Sequence, residues 1–168
     1  MPFTGRIADI GSGAGFPGLV WKIVLPDADM VLVEPTGKRC TFLNAVIDAL
    51  GLEKITVVNL RSEEYVVTAR ESFDLVSARA VANLRVLSEL TVPLLKTGGV
   101  FVAMKGAKGY EEAEEAEHAM KVLGASLWKS QDVSLFSGDE RVNLFYRKDR
   151  ATPSIYPRNY GAIKKKPL

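Results

Sequence analysis

The stretch that most constrains this chain is Arg6-Ile7-Ala8-Asp9-Ile10-Gly11-Ser12-Gly13-Ala14-Gly15-Phe16-Pro17-Gly18. A short apolar run ends in an acid and then breaks into four glycines within eight residues, and an amphipathic segment, Leu19 to Leu25, follows at once. The pattern predicts strand, tight turn, helix. Glycine is required where the backbone takes φ > 0 or lies against a ligand with no side chain between them. The start of the next helix offers unpaired N–H groups and partial positive charge. In α/β chains such a unit holds a nucleotide-like group at the carboxyl end of the first strand.

Three readings of this loop stay open on the residues alone. Gly13-Ala14-Gly15-Phe16-Pro17-Gly18 fits the dinucleotide pattern G-x-G-x-x-G, a weak match by itself. The longer run, with Asp9 ahead of Gly11-x-Gly13-x-Gly15, resembles motif I of class I S-adenosylmethionine methyltransferases. A glycine-rich structural turn without a ligand is the third. Glu34 ends a second apolar run, Val31-Leu32-Val33, where a carboxylate can accept both ribose hydroxyls in either enzyme class.

At 168 residues the chain is the size of one domain, and 47% hydrophobic residues suffice for a sizeable core. No signal peptide is evident, and no apolar run approaches the ~20 residues of a membrane span. A cytoplasmic protein with no membrane role is expected. One cysteine, Cys40, rules out an intrachain disulfide, and with a single histidine a Cys/His zinc site is not expected. Charge is uneven. Residues 147–168 sum to +6 within a net +2, leaving −4 on the rest. Such a basic segment is either a polyanion-binding element or a solvated tail.

Periodicity gives five β/α alternations. Strands are expected at Arg6–Ile10, Met30–Val33, Ile55–Val58, Phe73–Ser77 and Val100–Met104. Helices are expected at Leu19–Leu25, Thr36–Leu50 (buried side Leu43, Val46, Ile47, Leu50), Asn83–Leu95 (Leu84, Leu87, Leu90, Leu94) and Tyr110–Leu123. The last has an acidic face, Glu111 to Glu117, read as solvated, and His118 is read as a surface residue. Ser126–Leu135 and Val142–Lys148 complete a β-hairpin. Alternation of this kind predicts an α/β fold: a mostly parallel, seven-stranded sheet with helices on both faces, over residues 1–148, followed by a basic tail, 149–168. The glycine loop, Glu34, Ser62-Glu63, Ser77-Ala78-Arg79 and Lys105-Gly106 should converge at the carboxyl ends of the strands.

With these stretches in place the sequence resembles a bacterial family, the 16S ribosomal RNA (guanine-N7) methyltransferases known as RsmG or GidB. The resemblance is carried by Asp9 to Gly18, Lys38-Arg39-Cys40-Thr41-Phe42-Leu43, Arg61-Ser62-Glu63, Ser77-Ala78-Arg79-Ala80-Val81-Ala82, Lys105-Gly106, Tyr156-Pro157-Arg158-Asn159-Tyr160-Gly161 and Lys165-Lys166-Pro167-Leu168. It implies a Rossmann-like class I fold, S-adenosyl-L-methionine as cofactor, and methyl transfer to N7 of a guanine in 16S rRNA of the small ribosomal subunit; nothing in the sequence demands more than a monomer. It also implies cofactor contacts at Gly11, Phe16, Ser62, Glu63 and Arg79, with Glu34 as the second-strand acid. The glycine motif adds Asp9, Gly13 and Gly15. Glu34-Pro35 stands where many relatives have Asp-Ser, and Ser62 where alanine is common. Relatives usually carry several dozen helical residues before the first strand, and the sequence given begins at that strand.

Guanine N7 has a lone pair and no proton, so its methylation needs no general base, and no catalytic base is assigned. Arg79 is suited to the cofactor carboxylate, an RNA phosphate or a buried ion pair. RNA phosphates are expected to meet Lys38, Arg39, Lys105, Arg158, Lys164, Lys165 and Lys166, through the counterion release that drives such binding. Two other functions compete: an NAD(P)-binding oxidoreductase, for which no proton-relay residue stands out, and a non-catalytic RNA-binding or assembly protein with a vestigial cofactor pocket.

Overall fold

A computed structural model describes residues 3–168. Seven strands form one sheet in the order β3-β2-β1-β4-β5-β7-β6. They are β1 (Arg6–Ile10), β2 (Asp29–Val33), β3 (Ile55–Val58), β4 (Phe73–Arg79), β5 (Leu95–Gly106), β6 (Ala125–Ser134) and β7 (Glu140–Lys148). β1 to β5 are parallel; β7 runs antiparallel to β5, and β6 antiparallel to β7. Strand order reverses between β1 and β4, where Ile10 sits level with Val33 on one side and Ala78 on the other. Open α/β sheets bind ligands outside the carboxyl ends of the strands at such a reversal.

Alternation along the strands builds two cores. Ala8, Ile10, Val76, Ala78, Phe101 and Ala103 face one side, and Ile7, Met30 and Leu32 the other. Helices α1 (Gly18–Val24) and α2 (Gly37–Leu50) cover the second face; α3 (Ser62–Ala69), α4 (Leu84–Thr91), α5 (Gly109–Glu115), α6 (Glu117–Leu123) and α7 (Tyr160–Lys165) belong with the first. Leu84, Leu87, Leu90 and Leu94 are all buried, as their spacing predicts. Each such side chain stabilises the fold by roughly 2 kcal/mol.

The structure departs from the periodicity in several places. α3 and α7 were not expected. The helix expected over Tyr110–Leu123 is two helices, broken at Ala116 (φ −89°, ψ −1°). α4 ends at Thr91, and Val92–Leu94 tighten into a single 3-10 turn. Leu50 is exposed, and Cys40 takes its place on the buried side of α2 beside Leu43 and Ile47. Gly51 ends that helix in the left-handed region (φ 59°), where a glycine stop was expected.

Residues 149–168 wrap back over the first face. Arg70 donates to the carbonyls of Thr152 and Tyr156 at 2.7 Å each, and Arg85 donates to the carbonyl of Leu168 at 2.8 Å. Two cations counted with the basic segment are held by acids of the body. Lys148, 1% exposed, donates to Glu71 and to the carbonyls of Val92 and Leu95 at 2.9–3.0 Å. Arg158 is bound to Glu89, which is fully buried.

Candidate active site

The turn after β1 is built as the glycines require. Gly11, Gly13 and Gly15 all have positive φ (67°, 56°, 95°). A Cβ on Gly11 would lie 2.6 Å from Val81 Cγ2, so the loop after β4 presses directly on the turn. The N–H groups of Gly11 and Ser12 donate to the Val33 carbonyl at 2.8 and 3.3 Å, tying the turn to the end of β2. Gly18 opens α1 over Asp9, with no room for a side chain there.

Two buried carboxylates hold this arrangement. Glu34 accepts the Gly13 N–H at 3.0 Å and the Thr36 N–H at 2.9 Å, and Arg39 lies 3.7 Å away. Burial alone would raise its pKa; the hydrogen bonds from Thr36 and Gly13 outweigh it and hold the carboxyl below its ordinary value. Asp9 accepts the Gly18 N–H at 3.1 Å and the Ser77 hydroxyl at 2.8 Å. There burial wins over these bonds and pushes the pKa up to about 6. Asp9 therefore braces β1, β4 and α1 from beneath, its carboxylate turned into protein.

Above these groups lies a cavity of about 260 Å³, whose wall includes Gly11, Glu34, Arg39, Ser62, Glu63 and Tyr160. A second cavity of about 770 Å³ adjoins it, with Ala80 and Val81 common to both. Arg79, Asn83, Lys105, Val133, Arg141 and Asn143 are on its wall. Arg79 is exposed rather than held in a buried ion pair, its guanidinium 5.6 Å from the centre of the Phe16 ring. A Cβ on Gly13 would meet only the Gly11 carbonyl oxygen, at 3.8 Å, so the backbone there is bare enough for a ligand to lie against. Gly15 instead packs on Leu19 and Leu43. Ser62 donates its hydroxyl to the Leu90 carbonyl at 2.5 Å, which leaves its backbone as the group able to meet a ligand.

The expected RNA-facing cations divide. Lys38, Lys164, Lys165 and Lys166 are exposed, and Arg39 is 61% exposed at the cavity rim. Lys105 is not available: it donates to the Ala82 carbonyl at 2.6 Å and pairs with Glu112 at 2.8 Å, with 8% of its side chain exposed. Glu112 also accepts the Leu84 N–H, so this member of the acidic face is structural rather than solvated. Arg158 is held by Glu89, a partner 69 residues away that composition could not reveal. Tyr160, part of the family-like tail, sits on the wall of the smaller cavity, with the Arg61 guanidinium 5.1 Å from its ring centre. His118 is exposed and on neither wall.

The arrangement has room for an adenosine-bearing group: glycine backbone, a buried carboxylate at the end of β2, and a small cavity adjoining a larger one. Residues 2–140 match the profile of the GidB family, described as rRNA small subunit methyltransferase G. The chain belongs to this family.

GidB-family relatives are similar over nearly all of it. "Ribosomal RNA small subunit methyltransferase G" of Desulfitobacterium hafniense is 45% identical over 97% of this chain and 70% of its own length. The same-named protein of Staphylococcus carnosus is 46% identical over 96% and 69%, and that of Thermotoga petrophila 43% identical over 98% and 72%. Among solved structures, a 16S rRNA (adenine(1408)-N(1))-methyltransferase of Catenulisporales acidiphilia superposes with TM-score 0.72 at 16% identity, covering 94% of this chain and 89% of that one. M. jannaschii TYW2 in complex with AdoMet gives 0.70 at 16% identity, over 86% and 69%. Both have the class I methyltransferase fold expected here.

Proposed function

We propose that this GidB-family methyltransferase moves the methyl group of S-adenosyl-L-methionine to N7 of a guanine in 16S rRNA of the small ribosomal subunit, acting as a cytoplasmic monomer. The family match supports methylation of small-subunit rRNA, and the resemblance read from the sequence supports N7 of guanine. Among the described residues no helix is long and apolar enough to cross a membrane.

The observation that carries this reading is the junction of two cavities at Ala80 and Val81, beside the bare glycine turn. The smaller is the cofactor's place. Glu34 would accept the ribose hydroxyls while its other bonds keep it from rotating, and Gly11 and Gly13 would let the cofactor lie on the backbone. Ser62 and Glu63, at the start of α3, would meet the base with main-chain groups. Phe16 and Arg79 would close over the end nearest the larger cavity. Bound there, S-adenosyl-L-methionine would supply a sulfonium-activated methyl group to the N7 lone pair.

The protein's part is alignment and exclusion of water. No side chain needs to take a proton. The base becomes cationic on methylation, and Glu34 and Glu63 supply negative charge on the cofactor side. Thermal denaturation with S-adenosylmethionine and, separately, NAD tests the cofactor assignment. Stabilisation by the first alone is expected; stabilisation by NAD alone contradicts it.

A further inference from the structure

The larger cavity is bounded on one side by the β6–β7 hairpin at the edge of the sheet. Val133 and Leu135 line it from one strand, and Arg141 and Asn143 from the other. The next residue, Phe136, is wholly exposed at 115% of its reference area. Single exposed apolar side chains are ordinary, and Phe42, Val67 and Ile155 are examples, none of them on the wall of either cavity. Phe136 differs in place and in stiffness. The Leu135 N–H donates to the Asp139 carbonyl at 3.0 Å, the Gly138 N–H to the Leu135 carbonyl at 2.9 Å, and the Ser137 hydroxyl to Asp139 at 3.0 Å. Gly138 has φ 85°, which lets the turn close tightly. These bonds close the turn that carries the ring, one residue from the cavity-lining Leu135. Arg141, level with Val133 across the hairpin, lies 3.5 Å from the Asp139 carboxylate and keeps 44% of its side chain exposed.

We infer that Phe136 is an intercalating wedge: it enters the RNA stack at the place left by the target guanine, which turns out into the cavity bounded by Val133, Leu135 and Asn143. This rests on the reading of the site as an rRNA N7 methyltransferase. N7 lies on the major-groove edge, and the A-form major groove is too deep and narrow for protein to reach. Enzymes that act on a base inside a stack take it out, at a cost of a few kcal/mol in lost stacking. An aromatic ring in the vacated position offsets that cost, and Arg141 is placed for the neighbouring phosphate. A cavity of about 770 Å³ is of the size that takes a small organic ligand and accommodates a purine. Phe136 is thus a positioning residue, without contact to the reacting atoms.

The test compares wild type, Phe136→Ala and Phe136→Trp in methyl transfer to unmethylated small subunits, with cofactor affinity measured in parallel by calorimetry. A stacked ring is worth roughly 1–3 kcal/mol, so Phe136→Ala should lose about 10- to 100-fold in kcat/KM for RNA, with cofactor Kd unchanged. Phe136→Trp should restore activity to within about threefold, which a ring acting only through hairpin stability would not require. A photo-crosslinking phenylalanine analogue at position 136 should join to rRNA. Full activity of Phe136→Ala overturns the wedge while leaving the methyltransferase reading intact. A crosslink to a ribosomal protein instead of rRNA also overturns it. No transfer by the wild type defeats the methyltransferase reading itself, and the wedge with it.

Discussion

Arg158 closes on Glu89 through three groups: its backbone N–H at 2.7 Å, Nε at 2.9 Å and Nη2 at 2.6 Å. Glu89 is fully buried on α4, while Arg158 lies in the closing segment, so one ion pair latches residues 149–168 to the body. Removing one partner of a buried pair leaves an uncompensated charge, at about 3 kcal/mol. Arg158→Ala should therefore lower stability by about that amount in urea unfolding and open residues 149–168 to limited proteolysis. A variant as stable and as protease-resistant as wild type would show that the latch contributes little.

Asp9 should make stability fall with rising pH over a narrow acid range. Its pKa is about 6 in the fold, against an ordinary 3.8, so the folded state binds this proton more tightly than the unfolded chain. The contribution is fully favourable below about pH 3.8, declines as pH rises to about 6, and is flat above, a change of about 3 kcal/mol. Asp9→Asn removes the titration and can still accept from Gly18 while donating to Ser77. Relative to wild type, this variant should gain stability between pH 4 and pH 7. A difference that does not vary with pH would contradict the burial argument.

Gly11 is constrained twice, by φ 67° and by the Val81 methyl 2.6 Å from where a Cβ would stand. Gly11→Ala should cost about 2 kcal/mol or more in stability and abolish cofactor binding. Gly13→Ala meets only ordinary contact, the Gly11 carbonyl oxygen at 3.8 Å, and should cost about 1 kcal/mol, yet still weaken the cofactor by lifting it off the backbone. Denaturation and calorimetry on the two variants separate strain from occlusion. Equal effects on stability would contradict the assigned packing.

Glu34 serves both the protein and the proposed ribose contact. Glu34→Gln keeps one acceptor oxygen but sets its NH2 against either the Gly13 or the Thr36 N–H, so the turn loosens and cofactor affinity should fall about tenfold. Glu34→Ala strands the Gly13 and Thr36 N–H groups and should lose stability as well. Unchanged affinity in Glu34→Gln, measured by calorimetry, would remove Glu34 from the cofactor contacts.

Much of this architecture is legible from local pattern. Buried parallel strands read as continuous apolar runs, and α4 shows its leucines at helical spacing. α3 escaped because it is short and carries Val66, Val67 and Thr68, residues that favour strands. α7 is six residues long, marked only by Asn159 accepting the Ala162 N–H at 2.9 Å. The break at Ala116 has no glycine or proline to announce it. In the site, motif spacing located Gly11, Glu34, Ser62 and Glu63 on one cavity wall. Charge counting failed for Lys105, Lys148 and Arg158, because their partners Glu112, Glu71 and Glu89 are brought to them only by the fold. Tyr160 was the reverse case, an aromatic near the terminus that the wrapped segment returns to the cavity.

The central claim is tested most directly by incubating this 168-residue chain with radiolabelled S-adenosylmethionine and small ribosomal subunits lacking the modification, then mapping the label. The account predicts one labelled guanine whose glycosidic bond becomes labile after borohydride treatment, as N7 methylation requires. Label on another atom or another base, or no label while the cofactor still binds, would contradict it.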